Sequence, residues 1–360
     1  MLEEKEAVIF IPGFVCPERN YYLERFLAVG LTTRIEDEEI ILEPEEVKIS
    51  GQSGRRFVLD IGSEKPRIID VYEVYWADLI NGLSNKDIKT QFLRGLYLIY
   101  FWFVNGWKVA KISRIFFTQI GVILFLLAAW YYSIIVMALT AVGTDPNVFG
   151  FQIPDQAAEA LGLFGKNLGG WSVWLGLSAV LSFLPITLNL GVDMADFVVR
   201  YAQDDIDKEM GGLREKVRYR LKTTVNDVVR EEAYSKITIL SHSLGTLIAT
   251  DFMADYHPRK EAKIRFITWG GALESISAMS TWLTDEIYQC CNNPDIERWD
   301  DYYSDQDWLC SRAPIPSDKD YANISSSKIP FRVSLAKQFS GESHLAYFFD
   351  ETVLKRLIRR

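Results

Sequence analysis

Histidine is scarce in this chain of 360 residues, with only His242, His257 and His344 present, so any imidazole base must come from those three. Cysteine is nearly as rare. Cys16, Cys290, Cys291 and Cys310 show no Cys-x-x-Cys spacing, which excludes the usual zinc and dithiol patterns and suits a reducing compartment. Glycine-rich nucleotide loops and calcium-loop spacings are also missing, so no metal or organic cofactor is expected. Positive charge is in deficit: the formal net charge is −9 and the sequence pI about 5.1, which argues against a nucleic-acid partner.

Charge is absent altogether from two stretches, Ile115–Thr144 with 30 residues and Asn167–Val192 with 26. Each exceeds the roughly 20 residues needed to cross a hydrocarbon core of about 30 Å. Trp130, Tyr131, Tyr132, Trp171 and Trp174 supply aromatics of the kind found at membrane interfaces. The spans are placed at 115–142 and 168–192. Gly95–Trp107, uncharged between Arg94 and Lys108 and rich in aromatics, is short for a span and is read as a helix lying on the membrane surface. Met1–Glu6 is acidic and Ala7–Phe10 too short to form a signal peptide.

Around this insertion the pattern is that of alternating strands and helices. Ala7–Ile11 is a continuous apolar run of the buried parallel type, ending in Pro12-Gly13-Phe14. Val47–Ser50 and Arg56–Ile61 flank Gly51-Gln52-Ser53-Gly54 as a hairpin, and Ile69–Trp76 is a further strand. Beyond the insertion, Asp193–Glu232 has helical spacing. Ile237–Leu240, Ile264–Trp269, Trp299–Tyr303 and Phe331–Ser334 read as strands, with a closing helix at Glu351–Arg360. The expected fold is α/β, a mostly parallel sheet with helices on both faces, interrupted by a transmembrane helical hairpin. The segments are 1–90, 91–195 and 196–360. Strands of one sheet share one side of the bilayer, so the crossings are even in number. Lys108, Lys111 and Arg114 before the first span, against an acidic connecting loop, place the globular part in the cytoplasm.

Chemistry concentrates at Lys236–Asp251. There an apolar strand runs through Ser241-His242-Ser243-Leu244-Gly245 directly into a helical pattern. A serine on such a turn stands exposed at the top of a sheet, and small residues two positions to either side let strand and helix approach. Ser243 is therefore the candidate nucleophile. A hydroxyl needs a base, and the base needs an orienting acid. His242 adjoins Ser243, where neighbouring side chains diverge, and reads as a packing residue. His257 follows the next helix, near Pro258, and reads as a surface residue. His344 lies in a polar loop between the last expected strand and the closing helix, and is the candidate base. For the acid, Asp300, Asp301, Asp305 and Asp307 all fall between Trp299 and Trp308, with Asp318, Asp320 and Glu274 as outsiders, and composition does not choose among them.

With Ile-Pro-Gly-Phe near the start, Ser-His-Ser-Leu-Gly after a strand and Ser-His-x-x-Tyr-Phe near the end, the chain resembles serine hydrolases of the α/β-hydrolase superfamily, lipase and esterase type. The resemblance covers the segments outside the membrane insertion. Ser241 stands where glycine is usual, and Pro12 where histidine is common. Relatives of this type carry Trp-x-Asn-x-Tyr-x-x-x-Asp-Pro-Val around the acid. Laid on this sequence, that pattern implies Asp307, with Asp301 for Asn and Trp308-Leu309 for Pro-Val, and Asp305 as runner-up. It also implies an oxyanion hole from the backbone amides of Phe14 and Leu244. The expected activity is hydrolysis of carboxylic esters through an acyl-enzyme. The bilayer is the expected partner and an acyl lipid the expected substrate. Alternatives are deacylation of lipidated proteins at a thioester, a scaffold that has lost turnover, and a transport component built on the spans.

Overall fold

The computed structural model describes residues 5–14, 18–35, 39–49, 52–60, 66–80, 87–147, 150, 152–169, 172, 175–176, 179, 188–203, 206–207, 211–230, 234–258, 263–317, 321–339 and 341–359. The fold is mixed α/β and divides into two compact units. One comprises 1–81, 108–116 and 200–360, the other 82–107 and 117–199.

The first unit is built on β1 (Lys5–Ile11), β2 (Glu39–Ile49), β3 (Gln52–Asp60) and β4 (Arg67–Glu73). Two-residue strands β5 (Ile206–Asp207) and β6 (Gly211–Gly212) form a separate small ladder. Then come β7 (Lys236–His242), β8 (Ile264–Trp269), β9 (Ile296–Tyr303) and β10 (Ile324–Lys328). Eight strands make one sheet in the order β10-β9-β8-β7-β1-β4-β3-β2. The six from β10 to β4 are parallel, and β3 and β2 add an antiparallel hairpin at one edge.

Continuous apolar runs such as Ala7–Ile11 fit a strand covered on both faces. Val8, Phe10, Ile69, Val71, Leu240 and Ile267 pack with Leu27, Leu31, Val353, Leu354 and Leu357. The alternate residues Ile9, Ile239 and Phe266 point to the opposite face and are also fully buried. Both faces are therefore covered. A parallel sheet places all its carboxyl strand ends on one edge, where open α/β sheets bind ligands.

Several expectations need correction. Phe331–Ser334 is not a strand. Pro330 cannot donate to a ladder, and the edge is instead Ser-rich β10, whose Ser325 and Ser326 hydroxyls donate to Asp300 Oδ1 and Asp301 Oδ2 at 2.8 and 2.6 Å. That polar edge carries little hydrophobic signal. The Asp193–Glu232 helix is two helices, Leu188–Gln203 and Leu213–Arg230, separated by the short ladder. The hairpin strands are longer than expected, and β3 begins at Gln52.

Gly95–Trp107, in the second unit, is the middle of a longer helix, Ile88–Ile112. Leu93, Leu96, Tyr100, Phe103, Val104 and Trp107, at helical spacing, are exposed, Phe103 to 83 %, whereas Leu98 and Trp102 are buried. The first expected span is the helix Arg114–Val142. Its part Ile120–Val142, of mean hydropathy 2.4, is the one helix among the described residues long and apolar enough to cross a membrane. The second expected span, 168–192, lies mostly outside the described residues.

A buried acid anchors the first helix to the sheet. Glu73, at the end of β4, accepts the Leu23 N–H at 2.7 Å, at the start of the helical segment that runs to Arg34. Burial pushes its carboxyl up to about 7, partly offset by the Leu23 and Tyr22 amides. Between about pH 4.5 and 7 the folded chain then holds a proton that the unfolded chain has lost. Stability from this group is greatest below that window and is lost as pH rises through it, by about 3 kcal/mol. Glu73→Gln keeps the acceptor and removes the titration. Thermal melts at pH 5 and pH 8 should show a smaller pH-dependent drop for Glu73→Gln than for the parent.

Candidate active site

β7 ends at His242, and the helix Gly245–Met253 begins three residues later. The turn between them holds Ser243 at φ 57°, in the left-handed region that a non-glycine residue rarely adopts. Backbone bonds fix this conformation. The Ser243 N–H donates to Trp269 O at 3.0 Å, and the Thr246 N–H and hydroxyl both donate to Ser243 O, at 3.0 and 2.7 Å.

Close approach explains the small neighbours. A Cβ on Gly245 would lie 2.3 Å from Ile11 O and 2.6 Å from Pro12 O. A Cβ on Gly13 would lie 2.6 Å from Ser243 Cβ and 3.1 Å from its Oγ, so the turn after β1 abuts the serine. Ser241 is fully buried, and its hydroxyl donates to Ile267 O at 3.2 Å, which accommodates a side chain where glycine is usual.

His344 and Asp307 meet 37 residues apart in sequence. His344 sits in a short 3-10 helix, Glu342–Phe349, opened by Gly341 at φ 79°. Asp307 lies in the loop after β9. The His344 Nδ1 to Asp307 Oδ2 distance is 2.8 Å, and the Asp307 side chain is fully buried. A carboxylate accepts only, so Nδ1 carries the proton and Nε2 presents its lone pair. Nε2 is buried without a hydrogen-bond partner. It is therefore not hydrogen-bonded to Ser243 Oγ. The second carboxylate oxygen of Asp307 accepts the Leu309 N–H at 3.1 Å.

The other acids are committed elsewhere. Asp305 is exposed and pairs with Lys328. Asp300 binds Arg265 and Arg298. Asp301 accepts from Thr268, Ser326 and the Ala313 amide, with burial pushing its carboxyl up. Glu274 pairs with Arg312, and Asp318 and Asp320 lie outside the described residues. His257 is exposed and bonded to Asp295 at 2.7 Å.

Leu244 follows the serine in sequence, and Phe14 follows Gly13, which abuts it. Leu244 immediately precedes the helix Gly245–Met253, where the first N–H groups have no acceptor within the helix. The peptides on either side of the Phe14 amide are held in place. The Trp76 indole N–H donates to Pro12 O at 3.2 Å, and the Tyr22 hydroxyl donates to Phe14 O at 3.3 Å. Trp76 and Tyr22 belong to no motif, and His242 fills a variable place in the Ser-His-Ser-Leu-Gly turn. Their parts depend on contacts between distant segments, which sequence spacing does not reveal.

Among the described residues no group of histidine, cysteine or acidic side chains could hold a metal ion. What the arrangement offers is a serine in a strained turn after β7 and an imidazole held in one tautomer by a buried carboxylate. No family model, curated protein or solved structure matches this chain.

Proposed function

We propose that this chain is a membrane-anchored serine hydrolase of the α/β-hydrolase type, which cleaves carboxylic esters of lipids by way of an acyl-enzyme. The observation that carries the reading is the buried Asp307–His344 pair, whose imidazole packs 4.7 Å from that of His242, the neighbour of Ser243. Six parallel strands with the serine turn at their carboxyl ends support it.

In this mechanism His344 Nε2 takes the Ser243 proton as Oγ attacks the acyl carbonyl. Asp307 stabilises the imidazolium and holds it in place. The Phe14 and Leu244 amides bind the tetrahedral oxyanion, and loss of one such donor typically costs about 3–4 kcal/mol. His344 passes the proton to the departing alcohol, then activates water to release the acid. The catalytic part lies on the cytoplasmic side.

Lipid as substrate rests on the second unit. Ile120–Val142 has the length and apolarity of a span, and the exposed stripe from Leu93 to Trp107 suits the headgroup boundary. Two assays test the reading on the full chain. With a soluble p-nitrophenyl ester, Ser243→Ala and His344→Ala should each remove about 10⁴-fold or more of turnover, and a Ser243→Ala variant at parental rate would overturn the proposal. With long-chain esters in vesicles, Phe103→Asp with Trp107→Asp should lower turnover roughly tenfold or more, given the value of burying large apolar side chains. The rate on the soluble ester should be unchanged. Equal losses on both substrates would remove the stripe from membrane docking.

A further inference from the structure

The residue before the serine carries a role beyond packing. His242 is buried to 1 % exposure, and its Nε2 lies 2.8 Å from the main-chain oxygen of His344, 102 residues away. A carbonyl only accepts, so Nε2 carries the proton and the tautomer is fixed. The two imidazoles pack with centroids 4.7 Å apart, and Phe348, Tyr22 and Tyr347 enclose the His242 ring at 4.8, 6.3 and 6.2 Å. Burial first, and His344 second, hold His242 well below its ordinary value, so it stays neutral. His344 sits on a short helix outside the sheet, so nothing in the strand ladder sets its position. Asp307 holds the Nδ1 side of its ring, and His242 holds its backbone.

On the hydrolase reading above, we infer that His242 is a positioning residue for the base. The residue preceding the nucleophile on β7 grips the base through its main chain, so one strand end sets both reacting groups. Misplacement of a catalytic group by about 1 Å typically costs about 10²-fold in rate. Glutamine can present an N–H near the position of the histidine Nε2, whereas phenylalanine fills the ring space without a donor.

The test compares His242→Gln with His242→Phe in the full chain, with steady-state kinetics on a soluble ester and the low-field proton resonance of the His344–Asp307 bond. For His242→Phe we expect kcat lower by about 30–100-fold with KM little changed, and the low-field resonance broadened or lost. His242→Gln should recover most of the rate and the resonance. Equal kcat for parent and His242→Phe, or equal losses in both variants with the resonance intact, would overturn the inference. Should His242→Phe not fold, His242→Leu takes its place in the same comparison. The resonance separates this inference from the hydrolase reading: a parent without esterase activity sinks the latter, while the resonance in the two variants still decides whether His242 holds His344.

Discussion

Asp307→Asn is expected to lower kcat on a soluble ester by about 10⁴-fold, with little change in KM and an unchanged fold. The cause is the tautomer. An asparagine turned with its amide NH₂ toward Nδ1 makes that nitrogen an acceptor, which moves the ring proton to Nε2, where it blocks removal of the serine proton. Asp307 Oδ2 is 2.8 Å from Nδ1, and the side chain has no exposure to water that might substitute. Asp305→Asn is the matched control. Asp305 is two residues away, exposed and paired with Lys328, and surface pairs of that kind contribute about 0–1 kcal/mol. Its kcat should stay within about twofold of the parent. If Asp305→Asn rather than Asp307→Asn abolished turnover, the assignment of the acid would be reversed.

The second large effect is expected at Gly245. An alanine Cβ there would fall 2.3 and 2.6 Å from two backbone oxygens, Ile11 O and Pro12 O, which cannot rotate aside. Either the end of β1 or the start of the helix must move. Overpacking of this kind typically costs about 1–3 kcal/mol, and a clash with backbone belongs at the upper end. The shift also displaces Gly13 from Ser243, so activity should fall further than stability. Gly121→Ala, with nothing within 4 Å of the added Cβ, provides the comparison. Melting temperature and esterase rate should both drop for Gly245→Ala and hold for Gly121→Ala; parity between the two variants would contradict the close approach of strand and helix.

Features set by local chemistry were legible in the sequence. Ile264–Trp269 is a strand at the expected bounds because Ile264, Phe266, Ile267 and Trp269 crowd apolar, strand-favouring side chains into six residues, too few for a helix. The serine turn announced itself through Ser241, Ser243 and Gly245, all of which meet close backbone approaches or buried partners. Scarcity narrowed the candidate bases to His344, since His242 and His257 left it little competition. Features set by distant partners were not legible. β10 is polar because its serines bind Asp300 and Asp301, so its sequence resembles a loop, whereas apolar Phe331–Ser334 follows a proline and joins no ladder. Glu73 reads as an ordinary strand-end acid until Leu23 arrives 50 residues from it in sequence. His242 reads as a packing residue and not as a donor, because its acceptor is the main chain of His344.

The nucleophilicity of the Ser243 side chain is read directly by a fluorophosphonate probe. After incubation of the full chain with the probe, peptide mass spectrometry should find one adduct, on Ser243. Labelling should be absent in Ser243→Ala and much slower in His344→Ala. An adduct on another residue that persists in Ser243→Ala, or no adduct on the folded parent chain, would contradict Ser243 as the nucleophile.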